Sequence, residues 1–186
     1  MNIELERQLM HAAFGLAYLA MLVHFPKDIA VVTIFAIFII GTIVALVHHK
    51  FKIRALEAIV TRFEREGESR ILGDAAIKFT FGVLIASILF YPLDSRVIMG
   101  AIAVLSFGDS ASTLFGQRFG KTKILRNKSL EGTLAGICVS VAALAFFLPL
   151  HIAIAAGIVG MLAELVPAND NYTIPLATGA AIALLI

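Results

Sequence analysis

Residues 29–48 read IAVVTIFAIFIIGTIVALVH, twenty consecutive positions without one Asp, Glu, Lys or Arg. A helix rises about 1.5 Å per residue, so a stretch of that length matches the roughly 30 Å hydrocarbon core of a bilayer. The segment predicts a membrane-spanning helix and sets how the rest of the chain is read. Upstream, the turn-forming cluster Pro26-Lys27-Asp28 separates it from a second apolar segment, residues 9–25. Downstream, further apolar segments cover residues 75–93, 97–115, 132–150, 152–166 and 171–186. The last two are short, so one of them is expected to be tilted or incompletely spanning. The count is seven spans, with six as the fallback, in one all-α, polytopic integral membrane domain covering residues 1–186.

Composition agrees. The chain is 60% apolar and only 15% charged, where an ordinary soluble domain carries about 25% charge. Of its 28 charged residues, 20 lie in residues 1–7, 49–74 and 116–131. A net charge of +2, with no basic stripe interleaved with aromatics, excludes nucleic acid as the expected partner. The single cysteine, Cys138, excludes a disulfide framework and a cysteine-based metal site. Residues 1–7 mix acid with base and no small-residue cleavage site follows, so the first apolar segment is expected to stay in the mature protein.

If the spans alternate, residues 49–74 and 116–129 lie on one side together with Arg7 and Lys78. That side then holds thirteen Lys and Arg, against Lys27 and Arg96 on the other. Cytoplasmic loops carry such an excess, so the basic side is expected to face the cytoplasm. Within residues 49–74, Ile53, Leu56, Val60 and Phe63 recur at helical spacing, opposite Arg54, Glu57, Arg62 and Glu64. This predicts a cytoplasmic amphipathic helix on the membrane surface, or else a solvated linker helix.

Acids are costly in lipid, about 2.5–3.5 kcal/mol each at the bilayer centre on insertion scales, and are functional candidates there. Asp109, Glu131, Glu164 and Asp170 all stand in or at the ends of apolar segments, and alternation gathers them in one leaflet beside the basic 116–129 segment. Carboxylates can hold a hard cation and lysines the phosphates of a magnesium–nucleotide complex. The structural alternative is helix capping or pairing with neighbouring Lys and Arg. Asp109, Ser112, Thr113 and Gly116 share one helix face, which should turn into the bundle. Gly116 and Gly120 are spaced either for close helix approach or for backbone contact with phosphate. Gly116–Thr122 is one residue short of a P-loop and lacks its strand context, and residues 108–112 fail the G-x-S-x-G pattern. Ser129 before Glu131 can cap the next helix, whose N-terminus would equally offer amides to a phosphate.

Asp109, Gly116-x-x-x-Gly120-x-x-Lys123-Ile124 and Lys128-Ser129-x-Glu131-Gly132 resemble the signature of CTP-using membrane enzymes. That superfamily contains the CTP-dependent lipid kinases (dolichol, phytol and diacylglycerol kinases) and the phosphatidate cytidylyltransferases. Glu164 followed by Asn169-Asp170-Asn171-Tyr172-Thr173-Ile174-Pro175-Leu176 is similar to the kinases' E…D-N-x-[TS]-[IV]-P-L. Glu4-x-x-Arg7-Gln8-x-x-His11-x-x-x-Gly15 is similar to their opening motif, with Gln8 where they have lysine. The cytidylyltransferase ending H-G-G-x-x-D-R-x-D is absent.

The resemblance implies phosphoryl transfer from CTP to the hydroxyl of a membrane lipid alcohol, with Mg2+. Residues 109–132 would form the nucleotide-binding segment. Asp109 and Asp170 would hold magnesium, with Glu131 or Glu164 contributing. Lys123 and Lys128, helped by Lys121 and Arg126, would hold the triphosphate, alongside Gly116, Gly120, Ser129, Gly132 and Asn171. Glu164 or His11 would accept the alcohol's proton, although His11 can equally be structural. The expected partners are CTP, the lipid alcohol and the bilayer, with a homodimer allowed. Two alternatives stand beside this: a cytidylyltransferase making a CDP-lipid, and a non-enzymatic ion or solute carrier.

Overall fold

The computed structural model describes residues 3–51, 73–125 and 128–186. Among them, seven helices carry almost all of the structure. They are α1 (Ile3–His24), α2 (Lys27–Phe51), α3 (Asp74–Leu89), α4 (Ser95–Phe119), α5 (Leu130–Leu144), α6 (Leu150–Ala163) and α7 (Asp170–Leu185). The all-α expectation holds, and each apolar segment read from the sequence coincides with one helix. Two stretches, Lys27–His48 and Ser95–Phe119, are long and apolar enough to cross a membrane, while Leu130–Leu144 and Leu150–Ala163 are apolar but shorter. The amphipathic helix expected within residues 49–74 falls outside the described residues, as does Arg126.

The two long apolar helices play opposite parts. The apolar window of α4 is 72% buried and that of α2 only 17%. α4 is the axis of the bundle, in contact with α1, α3, α5, α6 and α7, whereas α2 packs on α3 and α1 at the periphery. Ile98, Ile102 and Leu105 of α4 are fully buried against a core that includes Phe79, Leu144, Met161, Ile174 and Ile182. On α2, Val32, Phe35, Ile40, Ile43 and Leu46 remain exposed.

α4 is not regular throughout. Val104–Gly108 forms a π-helical turn, closed by the Asp109 amide donating to the Val104 carbonyl. The inserted residue shifts the face that follows by about 100°. Before the turn α4 presents aliphatic side chains to the core; after it, Asp109 and Ser112. α7 is interrupted by chemistry as well. Pro175 has no N–H to donate to the carbonyl four residues back, that of Asn171. This carbonyl lies against Gly82 of α3, where an added Cβ would come within 1.8 Å of it.

Residues 116–129, read from the sequence as a loop, are partly regular. α4 continues to Phe119, and an antiparallel hairpin follows, β1 (Lys123–Leu125) paired with β2 (Lys128–Ser129). The helices on either side of the hairpin, α4 and α5, touch almost backbone to backbone. A Cβ on Gly132 would meet the Ser112 carbonyl oxygen at 2.6 Å and the Gly116 Cα at 2.9 Å.

At the far end of the bundle Lys27 ties two turns together, its Nζ donating to the carbonyls of Tyr91 at 2.7 Å and Leu93 at 2.8 Å. The Tyr91 hydroxyl donates to Asp28 at 2.5 Å.

Gly132→Ala should lower the thermal unfolding midpoint in detergent by the equivalent of about 1–3 kcal/mol, since backbone atoms cannot yield cheaply. Gly41→Ala, where a Cβ meets nothing within 4 Å, should leave it unchanged or raise it by up to about 1 kcal/mol equivalent.

Candidate functional site

Three acids from distant parts of the chain meet at one end of the bundle. Asp109 opens the half of α4 beyond the π turn, Glu164 is the C-cap of α6, and Asp170 is the first residue of α7. The short link between α6 and α7 brings the last two together. Asn169 fixes the start of α7, its side chain accepting from the Asn171 amide at 3.0 Å. One carboxylate oxygen from each acid lies within 4.8 Å of the other two.

Lys128 of β2 reaches all three. Its ammonium donates to Glu164 and, at 2.8 Å, to Asp170, and lies 4.0 Å from Asp109. The Glu164 side chain is 0% exposed, and a carboxylate that far from water is tolerable only when its oxygens are paired. Besides Lys128, the Ser112 hydroxyl sits 2.9 Å from both Glu164 oxygens. Burial works against the charge on Lys128, but Asp109, Glu164 and Asp170 outweigh it and hold its pKa above the usual lysine range. The ammonium therefore stays charged across neutral pH and gives up its proton only at strongly alkaline pH.

The hairpin that delivers Lys128 is clamped at its base. The Leu130 amide donates to the Thr122 carbonyl at 2.9 Å. The Glu131 carboxylate accepts from the Lys121 amide at 3.1 Å and the Thr122 amide at 3.1 and 3.2 Å. Hydrogen bonds from its own amide and from these two hold Glu131 below the usual glutamate range. Glu131 thus does not join Asp109 and Asp170; Glu164 takes that place, because the carboxylate of Glu131 is engaged by the hairpin. Ser129 caps α5, its Oγ accepting from the Gly132 amide at 3.2 Å.

A cavity of about 810 Å³ opens over the acids, within the usual range for a small-molecule site. Of the residues expected from the sequence, His11, Asp109, Gly116, Gly120, Lys123, Lys128, Ser129, Glu164, Asp170 and Asn171 line it. Lys121 contributes its amide to the Glu131 clamp, and Gly132 is buried in the α4–α5 contact. His11 and Asn171 meet, Nε2 to Oδ1 at 3.3 Å, with the imidazole edge-on to Phe79 at 4.3 Å.

The lining also includes a group that the sequence reading did not single out as site residues: Arg7 and Gln8 from α1, Asp74 and Lys78 from α3. Its cations are already matched, Arg7 with Glu4 at 2.5 Å and Lys78 with Asp74 at 2.5 Å. The Asp74–Lys78 spacing of four residues at a helix start was the available signal.

The chain is 32% identical over 133 residues to an uncharacterized protein of Methanocaldococcus jannaschii. The matched region covers 71% of this chain and 66% of that relative's length. No protein-family model and no solved structure matches the chain.

Lys128→Met should destabilise the protein by roughly 3 kcal/mol at neutral pH, because it leaves buried carboxylates without their cation. The deficit should shrink as pH falls, since protonating the carboxylates removes their mutual repulsion. Melting curves of both proteins from acid to neutral pH measure this. Ser112→Ala should cost about 2 kcal/mol under the same conditions.

Proposed function

We propose that the protein is a multi-pass membrane enzyme that transfers a phosphoryl group from CTP to the hydroxyl of a membrane lipid alcohol. The supporting observation is the meeting of Asp109, Glu164 and Asp170 with Lys128 in one cavity, on the residues that carry the resemblance to CTP-dependent lipid kinases. Phosphoryl transfer asks little covalent chemistry of a protein; it asks for charge neutralisation and alignment.

The acids fit a divalent cation. Three carboxylates and one ammonium carry a formal charge of −2, and oxygen ligands suit Mg2+. Ligands at about 2.1 Å from a metal are at most roughly 4.2 Å apart, so a 4.8 Å spread asks for a small inward adjustment. Asp109, Glu164 and Asp170 would hold the ion, which neutralises charge on the transferring phosphate. Lys123 lines the same cavity and pairs with no carboxylate among the described residues, leaving its ammonium for phosphate. Lys128, in reach of all three acids, is placed to serve carboxylate and phosphate alike.

The part of the lining that comes from α1 and α3 favours an alcohol over a phosphatidate acceptor. Arg7 and Lys78 each face their own carboxylate, so little positive charge is left for a phosphomonoester, whereas a neutral hydroxyl needs none. His11, from α1 and beside Asn171, would orient the hydroxyl or accept its proton. The exposed aliphatic and aromatic face of α2 supports a lipid setting, because large apolar surfaces are unstable in water. We read the basic end, with the cavity, as facing the cytoplasm.

Purified protein given Mg2+, CTP labelled at the γ-phosphate and a panel of isoprenoid alcohols and diacylglycerol should yield labelled lipid phosphate and CDP. Asp109→Asn and Asp170→Asn should each cut the rate by about 100-fold or more. Pyrophosphate release with a phosphatidate acceptor would identify a cytidylyltransferase instead, and no nucleotide turnover with any acceptor would exclude both enzymes.

A further inference from the structure

From Phe115 to Leu130 the chain carries five Lys and Arg and no Asp or Glu. The same stretch leaves large apolar side chains uncovered. Phe115 is 47% exposed, Phe119 51%, Ile124 43% and Leu125 48%. Phe115 and Phe119 lie one helical turn apart with ring centroids at 5.6 Å, and the Arg118 guanidinium sits 5.5 Å from the Phe119 ring. Ile124 and Leu125 follow on β1, just beyond exposed Lys121.

Aromatic and aliphatic groups beside exposed cations such as Arg118 and Lys121 are at home where acyl chains give way to anionic headgroups. In water they would be exposed apolar surface with no role. At a protein interface core the cations would be out of place, because charge is depleted there.

We infer that the end of α4 and the hairpin form an anchor seated on an anionic bilayer surface. Phe115, Phe119, Ile124 and Leu125 enter the acyl boundary, and Arg118 and Lys121 meet headgroup phosphates. The inference rests on the membrane setting of the proposed function but not on its chemistry. It also gives the hairpin a second task. The strand pair carrying Lys123 and Lys128 into the cavity is held from outside by lipid, which adds to the Glu131 clamp in positioning the site's cations.

The chain contains no Trp, so single-Trp variants of the full chain report without background. Ile124→Trp and Phe119→Trp, in nanodiscs of mixed phosphatidylcholine and phosphatidylglycerol, should be quenched by lipids brominated near the headgroup. The extent should match Phe35→Trp on the exposed face of α2 under lipids brominated at its depth. Replacing phosphatidylglycerol with phosphatidylcholine should weaken quenching at position 124 at least twofold, and Arg118→Gln with Lys121→Gln should remove that dependence.

Red-shifted, unquenched emission at 119 and 124 beside a quenched Phe35→Trp would overturn the inference and leave the membrane reading intact. Loss of quenching at all three positions would overturn both. Blue-shifted emission that bromolipid does not quench, and that disappears at one chain per disc, would assign the surface to a second copy and overturn the anchor. None of these readouts depends on turnover, so failure of the anchor and failure of the kinase chemistry are separable.

Discussion

The ammonium of Lys128 is where distant parts of the chain meet. It bonds to Glu164 at the end of α6 and Asp170 at the start of α7, and it faces Asp109 in the middle of α4. Placing three carboxylates at one end of an apolar bundle is unfavourable unless opposite charge is brought to them, because desolvation of each ion costs several kcal/mol. The local architecture reads as the means of bringing it. The π turn of α4 aims Asp109 and Ser112 at the cluster, the short α6–α7 link joins the other two acids, and the hairpin carries the cation in.

That hairpin has its own support, and the division of labour among the acids follows from it. A three-residue strand paired with a two-residue strand is too short to be stable alone. It persists because Glu131 grips the amides at its base, Ser129 caps the helix that follows, and Gly132 lets α5 approach α4 closely. Glu131 is thus a structural acid that holds the hairpin. Asp109, Glu164 and Asp170 are the acids that meet around Lys128 in the cavity. Among the described residues, Arg7 of α1 and Lys78 of α3, which also line the cavity, each stand beside a carboxylate.

Much of this arrangement was legible in the sequence because helices in an apolar chain have little freedom. Asp109, Glu164 and Asp170 each stand toward an end of an apolar segment, and simple alternation puts those ends together. The same logic grouped Glu131 with them, and there it reached its limit. Which way Glu131 turns is decided by amides of a hairpin too short to show a two-residue periodicity. The π turn is likewise unmarked, since Val104–Gly108 reads as ordinary apolar helix. The spacing of Gly116 and Gly120 announced a close approach, but Gly132, the partner surface, is visible only once α5 is in place. Ser112 could be placed on the polar face of α4, yet its bond to Glu164 spans 52 residues of sequence and has no local signal.

The central claim is that these three acids form a cation site that works together with a nucleotide triphosphate. Titrating the purified chain with Mn2+, read by the loss of the free-ion electron paramagnetic resonance signal, tests it without requiring the lipid acceptor. The account predicts weak binding alone, binding at least tenfold tighter when CTP is present, and loss of that gain in Asp109→Asn and Asp170→Asn but not in Glu131→Gln. Mn2+ binding that CTP does not change, or that survives both aspartate substitutions, would contradict it.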